Sequence, residues 1–222
     1  MMKLTDDIYV YEWTNYFDNN CNSYYIGGGV NALIDPGLSR YLPNLLERMS
    51  DDGIKKEDIV YVINTHSHPD HFQASEMFDP EKVKIALHPK ELQFLKGAGG
   101  DLYGLFGIEA PELQINFPLD EGDVAMGDHI FKVILSPGHS PGSIGLYWPE
   151  RKALFSGDVI FDQNIGRTDF PGGSGTLLKK SILSFAQLDM EFLLPGHMGI
   201  VTGKNRIDKN FKIIIQSIFP FI

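Results

Sequence analysis

The stretch that decides the fold reads Ile59-Val60-Tyr61-Val62-Ile63, then Asn64, then Thr65-His66-Ser67-His68-Pro69-Asp70-His71. Its first five residues are an unbroken apolar run of strand length, as expected for a strand covered on both faces. Three of the chain's seven histidines and one aspartate follow within six positions. An extended segment places alternate side chains on one side, so His66 and His68 point the same way. Pro69 then turns the chain. Asp70 stands where a helix N-cap would be, with Gln73 three residues on, the spacing of a capping box. His71 would then take the first helical position, where the positive end of the helix disfavours a protonated imidazole. The neutral ring is the form that binds metal. Asp70 can cap with one oxygen and bind a cation with the other. Imidazole and carboxylate without thiolate suit zinc, iron or manganese and do not choose among them.

Upstream, Ile8–Tyr11 reads as a strand, and Ser23–Ile26 with Val30–Ile34 as a hairpin turning at Gly27-Gly28-Gly29. Asp35-Pro36-Gly37 ends it. Leu38, Leu42, Leu45, Leu46 and Met49 recur at helical spacing until Gly53. Downstream, a short helix is expected over Phe72–Phe78, a strand over Val83–Leu87 and a helix over Pro89–Lys96. Such alternation is the pattern of an α/β layered fold. Residues 97–114 interleave Gly97, Gly99, Gly100, Gly104 and Gly107 with Leu102, Tyr103, Leu105 and Phe106. They read as an irregular connection packed on the body, or as an apolar lid beside a site. Strands return at His129–Leu135, Ser143–Trp148, Lys152–Phe155 and Phe192–Leu194, with helices at Gly175–Leu188 and Lys204–Ile218. The apolar tail Phe219-Pro220-Phe221-Ile222 is expected to tuck into the domain or a partner subunit.

The bulk numbers exclude more than they select. With 222 residues the chain has room for one large α/β domain. The formal charge, 19 − 29 = −10, and the lack of a basic stripe argue against nucleic acid. No apolar run approaches transmembrane length. The acidic start after Met1-Met2-Lys3 is unlike a signal peptide, and the single Cys21 cannot form an intrachain disulfide. The expectation is a cytoplasmic protein, monomer or homodimer, with a small-molecule substrate and no membrane partner.

His139, Asp158 and His197 each follow an expected strand and are each preceded by glycine. In layered α/β folds functional groups gather on the loops at the carboxyl ends of strands, and glycine lets the backbone turn tightly before them. His88 and His129 share this context less fully. A structural role is expected for His88 and an exposed strand start for His129.

Taken in order, His66-x-His68-x-Asp70-His71, then Pro137-Gly138-His139-Ser140-Pro141-Gly142-Ser143, Ser156-Gly157-Asp158 and Pro195-Gly196-His197 resemble the metallo-β-lactamase superfamily. The resemblance runs from residue 8 to about 200. It implies an αββα sandwich, one domain over 1–222, with a dinuclear metal site at one edge of two sheets. It implies that His66, His68 and His139 hold one metal, that Asp70, His71 and His197 hold the second, and that Asp158 bridges them. Asp70 and Asp158 are then the expected catalytic side chains. Two divalent ions are the expected cofactors, zinc first, with iron or manganese also suited. A bridging hydroxide is the expected nucleophile. Two such ions against two aspartates and one hydroxide leave about +1, which favours an anionic transition state. Asp158, where true metallo-β-lactamases carry cysteine or serine, argues against antibiotic hydrolysis. His68, where flavodiiron proteins carry glutamate, argues against those.

The segment Ile165-Gly166-Arg167-Thr168-Asp169-Phe170-Pro171-Gly172-Gly173-Ser174 resembles the glyoxalase II-like (hydroxyacylglutathione hydrolase-like) branch, in its short single-domain form, and also persulfide dioxygenases. The resemblance makes Arg167 a substrate-binding residue for glutathione. Read without it, Arg167 could simply pair with Asp169 or Asp162. Only 25 residues follow His197, too few for the helical domain that supplies most glutathione contacts in full-length glyoxalase II. A different thiol or a smaller acyl compound is therefore also open. The expected activity is metal-dependent thioester hydrolysis. The alternatives are a persulfide dioxygenase with one iron on His66, His139 and Asp158, a lactonase, and a non-catalytic binding domain.

Overall fold

The computed structural model describes residues 2–15 and 17–222. One sheet takes seven strands in chain order: β1 (Met2–Lys3), β2 (Ile8–Tyr11), β3 (Ser23–Ile26), β4 (Ala32–Ile34), β5 (Tyr61–Ile63), β6 (Lys84–Leu87) and β7 (Phe117–Pro118). β1 to β4 pair antiparallel, and β4 to β7 pair parallel. A second sheet is built from β8 (Gly122–Met126), β9 (His129–Leu135), β10 (Ile144–Trp148), β11 (Ala153–Gly157), β14 (Phe192–Pro195) and β15 (Val201–Thr202), with only β11 and β14 parallel. Between β11 and β14 lies a small ribbon, β12 (Ile160–Phe161) with β13 (Asn164–Ile165).

The period of two along each strand sorts side chains to the two faces. Ala32, Ile34, Tyr61 and Ile63 meet Phe131, Val133, Ile144, Leu146, Trp148 and Phe155 between the sheets. Leu33 and Val62, one position out of phase, pack outward against Leu42, Leu45 and Met49 of α1 (Leu42–Asp51). The second sheet's outer face is covered by α5 (Gly175–Phe185) and α6 (Lys204–Ser217) through Leu178, Ile182, Phe185, Ile207, Phe211 and Ile214. The layers are therefore αββα. Burying one such side chain stabilises by roughly 1.5–3 kcal/mol, so the three apolar layers hold both sheets in fixed register.

Three expectations need correction. The helix after the histidine segment, α2 (Pro69–Phe72), starts one turn earlier than expected and passes into a 3-10 turn at Gln73–Met77. Pro69 takes the first helical position, for which its fixed φ suits it, and His68 becomes the N-cap residue. Asp70 is thus the second residue of the helix and His71 the third. The capping box does not form, because Gln73 Oε1 instead accepts from Ser39 N at 3.1 Å. Residues 98–105 form a helix, α4 (Ala98–Leu105), not an irregular connection. It follows α3 (Pro89–Leu95), and Leu95 and Tyr103 pack with Phe72 and Leu87. Two of its glycines serve close approach: a Cβ on Gly99 would lie 2.7 Å from the Phe94 ring, and one on Gly100 2.7 Å from the Leu95 carbonyl oxygen. Packing outweighs their poor helix propensity. At the tail, Phe219 packs on the second sheet's outer layer, whereas Phe221 stays 85% exposed. His88 caps α3, its Nδ1 accepting from Lys90 N, and His129 opens β9 against Glu150 and Trp148. No helix among the described residues is long and apolar enough to cross a membrane.

Candidate metal centre

All seven residues singled out for metal binding converge at one edge of the sandwich. The segment His66–His71 leaves the end of β5, and His139 lies between β9 and β10. Asp158 follows β11, and His197 follows β14. Donor atoms of His66, His68 and His139 lie within 4.8 Å of one another, as do those of Asp70, His71 and His197. Asp158 sits between the groups. Its Oδ2 is 3.4 Å from His139 Nε2 and 3.3 Å from His197 Nε2, and its Oδ1 is 3.2 Å from His71 Nε2. His197 Nε2 is also 3.3 Å from Asp70 Oδ2. His66 joins His71 and Asp158 in a third such group, so the two sets are contiguous.

A cation is what these donors fit. His66 Nε2, His68 Nε2, His139 Nε2 and Asp158 Oδ1 are buried without a hydrogen-bond partner, an expensive state for polar atoms unless something else satisfies them. The opposite ring nitrogens explain why Nε2 is bare. His139 Nδ1 lies 2.8 Å from the Arg167 carbonyl, which can only accept, so Nδ1 carries the hydrogen. His71 Nδ1 donates in the same way to Asp35 Oδ2 at 2.9 Å. Thr65 Oγ1 gives its hydrogen to Asp35 Oδ2 at 2.7 Å and so accepts from His66 Nδ1 at 3.1 Å. In the neutral form that metal binding requires, each of these three rings would present an Nε2 lone pair to the centre.

Charge divides the two sets. Burial pushes the His66 imidazole well below its usual range, and burial with the neighbouring His139 takes His68 down to about 3. On the other side burial opposes charge on His197, but Asp158 and Asp70 outweigh it and hold the ring up at about 10. Asp70 is held down at about 2, with His197 and His71 outweighing its own burial. Without a cation, protonated imidazole near the carboxylates therefore supplies the positive charge that the site's geometry demands.

The glycines before the donors serve two purposes. Gly138 and Gly157 take positive φ, at 140° and 49°, where other residues are strained. Gly196 does not need such a φ. Its α-hydrogens face Asp158 Oδ1 and His71 Cε1 so closely that a Cβ would overlap both. Gly196→Ala should therefore push Asp158 and His71 apart and lower metal content to less than half of the parent's, measured by elemental analysis of the folded variant. Parent-level content would show that the site can relax around a methyl group.

The centre floors a cleft of about 340 Å³ lined by Asn19, His68, Pro69, Asp70, Leu102, Phe106, His139, Asp158, Phe161, Arg167, Phe170 and His197. Leu102 and Phe106 come from α4 and the residue after it, so the glycine-interleaved segment does border the site, as an ordered wall. Arg167 reaches the rim, paired with Asp169 and not Asp162. Nε donates to Oδ1 at 2.7 Å, Nη2 to Oδ2 at 2.6 Å, and the guanidinium lies 3.7 Å from the Phe170 ring centre. Sequence reasoning missed two buried acids. In the sequence Asp35 reads only as a strand end, although an acid closing an apolar strand is a visible signal. Glu91 gave none, since an acid in a helix's first turn is ordinary on a surface.

An αββα sandwich with histidine and aspartate donors gathered at one sheet edge defines a metal-dependent hydrolase scaffold. Residues 16–197 match the sequence model of the metallo-beta-lactamase superfamily, and the chain belongs to that superfamily. It is 33% identical over 189 residues to a probable metallo-hydrolase of Methanocaldococcus jannaschii, covering 82% of this chain and 90% of that protein. It is 32% identical over 173 residues to the hydroxyacylglutathione hydrolase GloC of Haemophilus influenzae, covering 75% and 78%. Among solved structures it resembles the B3 metallo-beta-lactamase BLEG-1, with a TM-score of 0.74, 29% identity and coverage of 91% and 97%. It likewise resembles TTHA1623 in a di-iron-bound form, with a TM-score of 0.73, 27% identity and coverage of 94% and 98%. The chain is thus a metallo-hydrolase of this superfamily, whose fold implies divalent metal binding.

Proposed function

We propose that this chain is a dinuclear metal-dependent hydrolase that cleaves a thioester of the hydroxyacylglutathione type. The observation that carries the reading is Asp158, within 3.4 Å of His139 on one side and within 3.3 Å of His71 and His197 on the other, at the floor of an open cleft. In this reading His66, His68 and His139 hold one divalent ion, Asp70, His71 and His197 hold the other, and Asp158 serves both. Zinc is the expected metal, with iron and manganese also suited to these donors. Bound there, the ions would supply Lewis-acid activation of the acyl carbonyl and of water at neutral pH.

The chain's own residues do the rest. Asp35, Thr65 and the Arg167 carbonyl fix the ring orientations of His71, His66 and His139. Asp70 and Asp158 both line the cleft, so a carboxylate stands where a proton leaving the attacking water can be held. Leu102, Phe106, Phe161 and Phe170 give the cleft apolar walls, which seat the acyl arm and keep bulk water off the reacting carbon. Arg167, steadied by Asp169 and Phe170 at the rim, has its Nη1 outside that fork and offers it to the thiol arm. The similarity to a protein named hydroxyacylglutathione hydrolase supports the choice of thioester.

The test is metal analysis of protein purified without added metal, read with assays on thioester, lactone and persulfide substrates. Two metals per chain and thioester cleavage without oxygen uptake are expected. One iron per chain with persulfide-dependent oxygen uptake would establish the dioxygenase instead. Turnover confined to lactones would remove the thioester.

A further inference from the structure

Glu91 is a fully buried carboxylate to which the reading above assigns no role. It lies in the first turn of α3, outside the cleft. Its Oε1 accepts from Ser67 N at 3.0 Å and from Ser67 Oγ at 2.8 Å. Its Oε2 accepts from Ser140 Oγ at 2.9 Å and from Gly142 N at 2.7 Å. Ser67 stands between His66 and His68, and Ser140 directly follows His139. One side chain therefore ties the loop leaving β5 of the first sheet to the loop between β9 and β10 of the second. It does so at the residues next to the three imidazoles of one donor group.

The clamp has a second jaw. Tyr103 of α4 donates to the Ser67 carbonyl at 2.8 Å, so the polar atoms of Ser67 are held from both sides by the α3–α4 hairpin. Gly142 lies so close to the α3 backbone at Glu91 that a Cβ there would overlap it. A carboxylate is a costly way to fill buried volume, and an apolar side chain of similar size would pack there more cheaply. What an apolar side chain cannot do is hold two backbone N–H groups from different sheets at a fixed separation.

We propose that Glu91 is a positioning residue that sets the spacing of His66 and His68 against His139, and so governs cation affinity at that group rather than at Asp70, His71 and His197. The proposal rests on the donor assignment given above. Glu91→Gln keeps the shape but replaces one acceptor oxygen with an NH2 group, which leaves either Ser67 N–H or Gly142 N–H without an acceptor.

Metal-free parent and variant are to be titrated with Co2+ and with Zn2+ against a chromophoric chelator, alongside melting curves in chelator. The parent is expected to take two ions. In Glu91→Gln the affinity for one ion should fall about tenfold or more, the other should stay within about twofold, and the Co2+ absorption of the three-imidazole group should develop only at correspondingly higher free Co2+. A lowered melting temperature with both affinities unchanged would reduce Glu91 to a fold element and overturn the proposal, as would equal loss at both positions. A parent that takes up no cation would overturn the donor assignment itself. Ser140→Ala removes one of the four donors with little risk to folding, and should show the same one-sided loss at smaller size. Unchanged affinities there would also count against the clamp.

Discussion

Replacing Asp158 with alanine is expected to lower thioester hydrolysis by about a thousandfold or more and to strip the protein of at least one metal. The carboxylate is buried and has donor atoms of three histidines within 3.4 Å of its two oxygens. No other described carboxylate faces both donor groups at this range. Stabilising transition-state charge at such a centre is worth several kcal/mol, and each 1.36 kcal/mol is a factor of ten in rate. Loss of Asp158 also removes the stronger of the two carboxylates that hold His197 in its charged form against burial, so the metal-free variant should keep its fold with a less protonated centre. The measurements are kcat/KM with a thioester, metal content by elemental analysis, and melting in chelator. A folded variant that cleaves at the parent rate would rule out the bridging role.

What could be read from the chain follows from how local each signal is. The strand ending at Ile63 and the run His66–His71 are contiguous, so pattern and chemistry stand side by side. His139, Asp158 and His197 were legible because each closes an apolar run behind a glycine. The parallel pairing of β11 with β14 then brings Asp158 and His197 to one edge. Alternation along β4 and β5 also survives intact, with Ile34 and Ile63 facing inward and Leu33 and Val62 outward. The order of these elements is enough to place two covered sheets.

The failures have a common physical source, which is packing between segments distant in sequence. α4 carries Gly99, Gly100 and Gly104, so propensity argues against a helix, yet Leu102 and Tyr103 are buried and Gly99 and Gly100 fit against Phe94 and Leu95. Asp70 resembled a cap because the sequence shows Gln73 but not the Ser39 amide that takes its side chain. The two-residue strands β1, β7 and β15 exist only as partners of longer neighbours, and β12 and β13 only as partners of each other. Glu91 and Asp35 look like ordinary acids until the fold brings Ser140, Gly142, Thr65 and His71 to them.

Asp35→Asn is expected to weaken metal binding by about 10- to 100-fold while costing about 1–3 kcal/mol of stability. Asp35 adopts φ 49°, a left-handed conformation that asparagine tolerates, so the substitution tests hydrogen bonding and not backbone strain. The carboxylate accepts three hydrogens: Thr65 N–H at Oδ1, and Thr65 O–H with His71 Nδ1–H at Oδ2. In asparagine, the oxygen keeps the Thr65 amide, and the new NH2 group meets two former donors. Thr65 Oγ1 must then accept, which turns its hydrogen toward His66 Nδ1. His71 Nδ1 must likewise accept. In the neutral, metal-binding form both rings are then driven to the tautomer with hydrogen on Nε2, so two lone pairs that would face a cation become N–H groups. Nitrogen-15 shifts of the His66 ring, which burial keeps neutral in metal-free protein, read this directly, and a Zn2+ titration reads its consequence at both rings. Unchanged tautomers with unchanged affinity would mean that His66 and His71 are oriented by packing alone. A tautomer switch with full affinity would mean that the metal pays the small cost of switching them back.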